Sequence, residues 1–313
     1  VNTNSTISGA ITNRGTITAA DDVFDVDVNS TISGNITNES GGTITAVDDI
    51  FDVDNTSTIS GNITNSGTIT AADHAFYVDD TSSIIGAITN SGTITATDDA
   101  FYINDRSIII GNITNESSGI ITTGDHAFYV DDTSDIRGNI TNSGTITATD
   151  DAFYVDDKSI ISGNITNEVG GIITVTDLAD AFYVNDTSTI SGNITNSGTI
   201  TAADDGFGVY DNSTIVGAIT NSGTITAGSN AFELTVGSDI SGGVVNAVGG
   251  TITAVADGFH VDASTIRGGV VNRGTITGGT NAINIINATA PIAITNSGLI
   301  DGAVILDTST LTL

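Results

Sequence analysis

The sequence has no cysteine, methionine or tryptophan, one proline, and only six basic residues among 313. Without cysteine there is no disulfide, no thiolate metal site and no cysteine nucleophile. Six Lys and Arg against 37 Asp and Glu leave a formal net charge of −31. Arg14, Arg106, Arg137, Lys158, Arg267 and Arg273 lie far apart in the sequence. They cannot be gathered into a basic patch for nucleic acid or an anionic membrane. No run of 18 apolar residues occurs, so no segment reads as a membrane-spanning helix. No signal peptide is visible and the first residue is Val1, so the chain reads as a mature or excised piece. Charged residues make up 14% and hydrophobic ones 38%, which is not the balance of a charged disordered polymer.

What the sequence has is a period. The phrase I-x-G-x-I-T-N opens almost every unit, its glycine falling at Gly9, Gly34, Gly61, Gly86, Gly111, Gly138, Gly163, Gly192, Gly217, Gly242 and Gly268. Neighbours are 25 to 29 residues apart, and a twelfth, degraded phrase ends at Asn296. A period of this size is the signature of a repeat architecture. Twelve units fill residues 1–313 as a single repeat domain.

Within the third unit, residues 58–64, 68–70 and 76–79 alternate apolar and polar with period two, a strand pattern. Turn formers at 65–67, 73–74 and 79–82 separate them. The step from the Ile of the second segment to the Phe of the third is 7 residues in every unit except the seventh, where Ile173 to Phe182 is 9. Length varies in turns and hardly at all in strands, as stacked coils in register require. The expected fold is therefore all-β: a right-handed parallel β-helix, or β-solenoid, with three strands per coil and about 12 coils of ~25 residues. At about 4.8 Å per coil the rod would be roughly 55–60 Å long. A row of hairpins is disfavoured, since two-residue Asn-Gly or Asp-Gly turns are lacking.

Stacking places equivalent residues in columns. All ten Phe residues fall in one column, followed by Ile283. With the Ile columns (Ile7, Ile11, Ile17 and equivalents) and the Val column (Val26, Val53, Val78), it forms the expected core. An Asn column runs from Asn13 to Asn296 through every unit, and stacked amides are expected to bond from coil to coil.

The outward columns are where function is expected. Asp21, Asp22, Asp48, Asp49, Asp98, Asp99, Asp150, Asp151, Asp204 and Asp205 precede the Phe strand. Asp79, Asp80, Asp131, Asp132, Asp156 and Asp157 follow it. Like charges about 5 Å apart repel by roughly 1 kcal/mol per pair even in water. Hard carboxylate oxygens suit Ca²⁺, so these residues are candidate Ca²⁺ ligands; the plainer reading is that they make turns and keep the rod soluble. Thr-Ile-Thr recurs with Ile inward and both Thr outward, a double hydroxyl row broken at Ile120 and Ile172. Tyr77, Tyr102, Tyr129, Tyr154 and Tyr183 form an outward aromatic stripe in consecutive coils, a candidate binding surface for sugars or another rod. His74 and His126 sit in the acidic turn column and read as solvated. No catalytic constellation stands out.

The phrase I-T-N-S-G-T-I-T at residues 63–70, followed by an acidic turn and A-F-Y-V, resembles the repeats of bacterial autotransporter passenger domains, secreted by the type V route. The resemblance covers the whole chain and rests on low-complexity repeats. It implies a β-solenoid at the bacterial cell surface, and many such passengers are adhesins. The expected function is thus a non-enzymatic extracellular protein, an adhesin stalk or a fibre-forming subunit. The alternative is a ligand-binding solenoid, acting on ice through the Thr rows, as in β-solenoid antifreeze proteins, or on glycan through the Tyr stripe. The expected partners are a surface glycan or cell-surface protein and further coils. Apolar strand patterns at 303–306 and 311–313 suggest a longer rod or head-to-tail stacking.

Overall fold

The structure is a computed structural model that describes residues 1–307 and 310–312; Leu313 lies outside the described residues. Among the described residues there is no helix. The first coil contains β1 Thr6–Ile7, β2 Ile11–Asn13, β3 Thr16–Thr18 and β4 Phe24–Val26. Each strand pairs in parallel with its equivalent in the next coil: Ile7 with Ile32, Asn13 with Asn38, Ile17 with Ile44 and Phe24 with Phe51. Repetition of this pairing makes a β-solenoid of about 12 coils of about 25 residues. The β1 ladder has ten strands and the β2 ladder thirteen. The β3 and β4 ladders merge into one sheet through the 12-residue strand Thr275–Ile286.

The first ten coils thus have four short strands each, because the first of the three expected segments is divided; in the last two, among the described residues, the first strand is missing and the third and fourth run together as Thr275–Ile286 and Leu299–Leu306. The segment at 58–64 divides into Thr58–Ile59 and Ile63–Asn65. The cause is the glycine of the repeat phrase. A Cβ on Gly61 would overlap the carbonyl oxygen of Gly34, and the same overlap recurs at Gly86, Gly111 and Gly138. Only glycine lets one backbone bend so closely over the one before it.

The interior is the set of columns the alternation indicates. Phe51 to Phe259, Ile32, Ile36, Ile44, Val26 and their equivalents are buried. The Phe rings stack face to face, centroids 4.5 to 4.9 Å apart and planes within 8° of parallel. Small Ala residues at 46, 71 and 96 fill the space beside them.

Where the chain turns, short polar side chains continue the ladder. At the β2–β3 corner each Asn Nδ2 donates to the Asn Oδ1 of the next coil, from Asn13–Asn38 at 2.9 Å to Asn272–Asn296 at 2.7 Å. It also donates to a main-chain carbonyl, as Asn65 does to Thr93 O at 3.0 Å. At the β4–β1 corner a buried serine column does the same work. The N–H of Ser57 donates to Ser82 Oγ, that of Ser82 to Ser107 Oγ, and so on along the rod. Buried main-chain donors at a bend would otherwise lack partners.

Two substitutions check this packing. Gly61→Ala should destabilise the rod by about 1–3 kcal/mol or more, because backbone and not a flexible side chain must yield; Ser60→Ala, exposed next to it, should be near neutral. Comparable denaturation midpoints for the two would contradict the close approach. Phe128→Ala should cost roughly 3–5 kcal/mol through the cavity left between Phe101 and Phe153, and Tyr129→Ala, half exposed, clearly less.

Candidate functional site

The sixteen aspartates do not share one environment. Those before the Phe strand divide into two columns at the β3–β4 corner. Asp21 and Asp150 are exposed, and Asp48, Asp98 and Asp204 are half exposed. The second column was expected to face outward, but Asp49, Asp99, Asp151 and Asp205 are buried and Asp22 is partly so. The reason lies in the backbone at the corner. Asp22 Oδ1 accepts the N–H of Asp49, Asp49 Oδ1 that of His74, and Asp99 Oδ1 that of His126. Farther along, Asp151 Oδ1 accepts from Asp180, Asp180 from Asp205, and Asp205 from Asn230. These carboxylates act as corner acceptors, as the Asn and Ser columns do.

A buried column of like charges must be neutralised somehow. In order it reads Asp22, Asp49, His74, Asp99, His126, Asp151, Asp180, Asp205, Asn230, Asp257, Asn281. His74 and His126, expected to be solvated, are buried between acids. His74 Nδ1 lies 3.0 Å from Asp49 Oδ1, and His126 Nδ1 3.0 Å from Asp99 Oδ1. Burial pulls the His74 imidazole down, but Asp49, Asp99 and Asp73 outweigh it and hold it up at about 8. His126 is raised for the same reasons.

Beyond His126 the column has three acids in succession. Burial pushes Asp151 and Asp205 up to about 7. Burial, reinforced by the charges of Asp205 and Asp151, pushes Asp180 up to about 9. The Tyr210 hydroxyl lies 3.3 Å from Asp180 Oδ2 and 3.0 Å from Asp205 Oδ2. Sequence reasoning named neither Asp180 nor Tyr210. The signal was available in the two-residue insertion between Ile173 and Phe182, which carries exposed Leu178 over a notch lined by Asp151, Asp180, Tyr183 and Tyr210.

The tyrosine stripe is continuous and half buried. Ring centroids are 5.5 Å apart for Tyr77–Tyr102, then 4.7, 4.8 and 4.9 Å through Tyr129 and Tyr154 to Tyr183. Tyr210 extends the stripe to a sixth ring at 5.0 Å. It swings into the slot at Gly208, where a Cβ would strike its ring. Besides Tyr210, three hydroxyls are engaged internally: Tyr77 donates to Asp79, Tyr129 to Asp131 and Tyr154 to Asp156. Burial, with nearby acids, raises all of these phenols. His74 stacks against the stripe 5.4 Å from Tyr77, and His126 packs at a tilt 5.0 Å from Tyr129.

The remaining candidates occupy the next corner. Asp79, Asp131 and Asp156 are the tyrosine partners just described. Asp80, Asp132 and Asp157 adopt left-handed backbone with φ of 47°, 44° and 42°, each followed by a second left-handed residue. Asp tolerates this conformation better than most side chains, so its turn-forming role is evident in the geometry. The β4 strand separates this corner from the β3–β4 corner, so the sixteen carboxylates form two acidic edges. On the β3 ladder, Thr68 and Thr70 stand in register with Thr93 and Thr95 on the outer face. The chain matches no family model, no curated protein and no solved structure.

Asp52 gives a clean pH test. It occupies the tyrosine position, aligned with Asp25 and Tyr77 on the neighbouring strands, and its Oδ1 is buried without a hydrogen-bond partner. Burial, then the charges of Asp22, Asp49, Asp54 and Asp25, pushes it up to about 7. A carboxyl raised on folding stabilises the fold below its unfolded pKa of about 4, and that contribution is lost as pH rises through about 7. Asp52→Asn should therefore raise the melting temperature at pH 8 and leave it nearly unchanged at pH 4. An equal gain at both would exclude a buried, proton-binding Asp52.

Proposed function

We propose that this chain is a stiff stalk or fibre segment of an extracellular bacterial surface protein, with no catalysis of its own. The observation that carries this reading is the register, which is kept from coil to coil among the described residues except for the shifts where Thr275–Ile286 pairs with Leu299–Leu306. Parallel pairing runs from coil to coil along the rod with matched residues opposite one another. A one-dimensional core of this kind resists bending because each coil is packed against both neighbours. The absence of cysteine, the acidic surface and the resemblance to autotransporter passengers point the same way. Adhesion to a glycan or a cell-surface protein, and continuation by further coils, belong to this proposal. The tyrosine stripe supports it less directly, since four hydroxyls bond within the rod and the rings pack on one another.

A second reading rests on the β3 ladder, whose paired Thr rows repeat at the strand spacing of about 4.8 Å. A regular flat array of hydroxyls and methyls suits an ordered ligand such as ice, and thermal hysteresis in a purified sample would favour it.

Antibody against the chain checks the first reading. It should label intact cells of the source bacterium, and brief external protease should remove the label without lysis. Label that appears only after lysis would overturn surface display.

A further inference from the structure

We infer that the buried histidines build two tandem sites for a Zn²⁺-type divalent cation, each made of one imidazole and two carboxylates, at His74–Asp98–Asp99 and His126–Asp150–Asp151. In each group the ligating atoms lie within 4.8 Å of one another.

The argument begins with what each ring nitrogen faces. Asp49 Oδ1 accepts from the His74 main-chain N–H at 2.8 Å and lies 3.0 Å from Nδ1. An ionised carboxylate only accepts, so Nδ1 carries hydrogen and Nε2 is the ligating nitrogen. Nε2 faces Asp98 Oδ2 at 3.6 Å and Asp99 Oδ2 at 3.7 Å. Those separations exceed hydrogen-bond length, so a proton on Nε2 reaches neither oxygen well. Once a cation displaces the Nε2 proton, three electron-pair donors converge across this gap, on a residue that is only 9% exposed. A cation bonded at about 2.1 Å to each member of a tetrahedral set spaces its ligands by roughly 3.4 Å. The gap fits that edge.

The second site repeats the first along the rod. Asp99 Oδ1 holds His126 Nδ1 at 3.0 Å, and His126 Nε2 faces Asp150 Oδ2 at 3.9 Å and Asp151 Oδ2 at 4.0 Å. Asp99 thus ligates the first site through one oxygen and orients the histidine of the second through the other. A carboxylate that fixes a histidine through its far nitrogen is the usual outer support of a metal-binding imidazole. One nitrogen and two oxygens form a borderline donor set that suits Zn²⁺ better than Ca²⁺, which prefers six to eight oxygens. Three protein ligands leave a fourth position for water. The wider spacing makes the His126 site the weaker one.

The test is Zn²⁺ titration of the full chain after chelator treatment, by calorimetry and by competition with a chromogenic chelator, with Co²⁺ absorption as a coordination probe. Two sites per chain are expected, with intense visible Co²⁺ bands of four-coordinate geometry. His74→Gln should leave one site, and His74→Gln with His126→Gln none. Asp98→Asn, half exposed and outside the corner ladder, should remove only the first site and serves where a histidine variant misfolds. Asp99→Asn should abolish the first site and weaken the second about 10–100-fold. Zn²⁺ binding that persists in the folded double histidine variant, or Ca²⁺ binding as tight as Zn²⁺ at equal ionic strength, would overturn the assignment. So would a wild-type chain that binds no Zn²⁺.

Discussion

Every coil lies on a copy of itself one strand spacing away, so each side chain has its own equivalent as nearest neighbour above and below. The rest of the structure depends on that constraint. It rewards any residue that bonds well to itself. Phe stacks on Phe with centroids 4.5 to 4.9 Å apart, and Asn bonds to Asn because an amide both donates and accepts. Ser accepts the next coil's N–H with its hydroxyl. Glycine belongs to the same logic at the tightest bend, where the neighbouring backbone occupies the place of a side chain.

Aspartate is the residue the constraint penalises, and the chain resolves the conflict in three ways along a single column. Between Asp49 and Asp151 it interposes bases, so His74 and His126 alternate with acids. At Asn230 and Asn281 it substitutes the uncharged isostere: the Asn230 amide oxygen still accepts the N–H of Asp257, and Asn281 Nδ2 donates to Asp257 Oδ1. At Asp180 and Asp205, past the histidines, it retains acids whose carboxyls burial pushes up toward the neutral form. Near neutral pH the formal charge of −31 therefore overstates the charge of the folded rod.

Much of this was legible in the sequence because periodicity assigns residues to columns before anything is known of their direction. The Phe, Ile, Val and Asn columns, the coil length and the parallel stacking all follow from spacing. What spacing does not supply is direction at a corner, where period-two alternation stops. Asp49 and Asp48 are adjacent acids in one turn, yet one is buried as a backbone acceptor and the other half exposed. The same gap hid the serine ladder, which reads as ordinary turn sequence, and the bend at Gly61, which interrupts an otherwise perfect strand alternation. His74 was misread for this reason too: its column was identified correctly and its side of the backbone was not.

The two-residue insertion around Leu178 shows how such a rod localises chemistry. Two extra residues between strands bulge from the corner without disturbing the ladders on either side, since Ile173 still pairs with Ile200 and Phe182 with Phe207. The corner itself is changed. Asp180 is buried deeply between two acids, and the chain compensates one coil later: Gly208 empties the tyrosine slot and Tyr210 reaches across it to both Asp180 and Asp205. A deviation in one coil thus requires a matched deviation in the next, because no coil has any neighbours but the adjoining two. Regular coils supply stiffness and register, and individual chemistry concentrates where a column departs from its own repeat, at the two histidines and at Asp180.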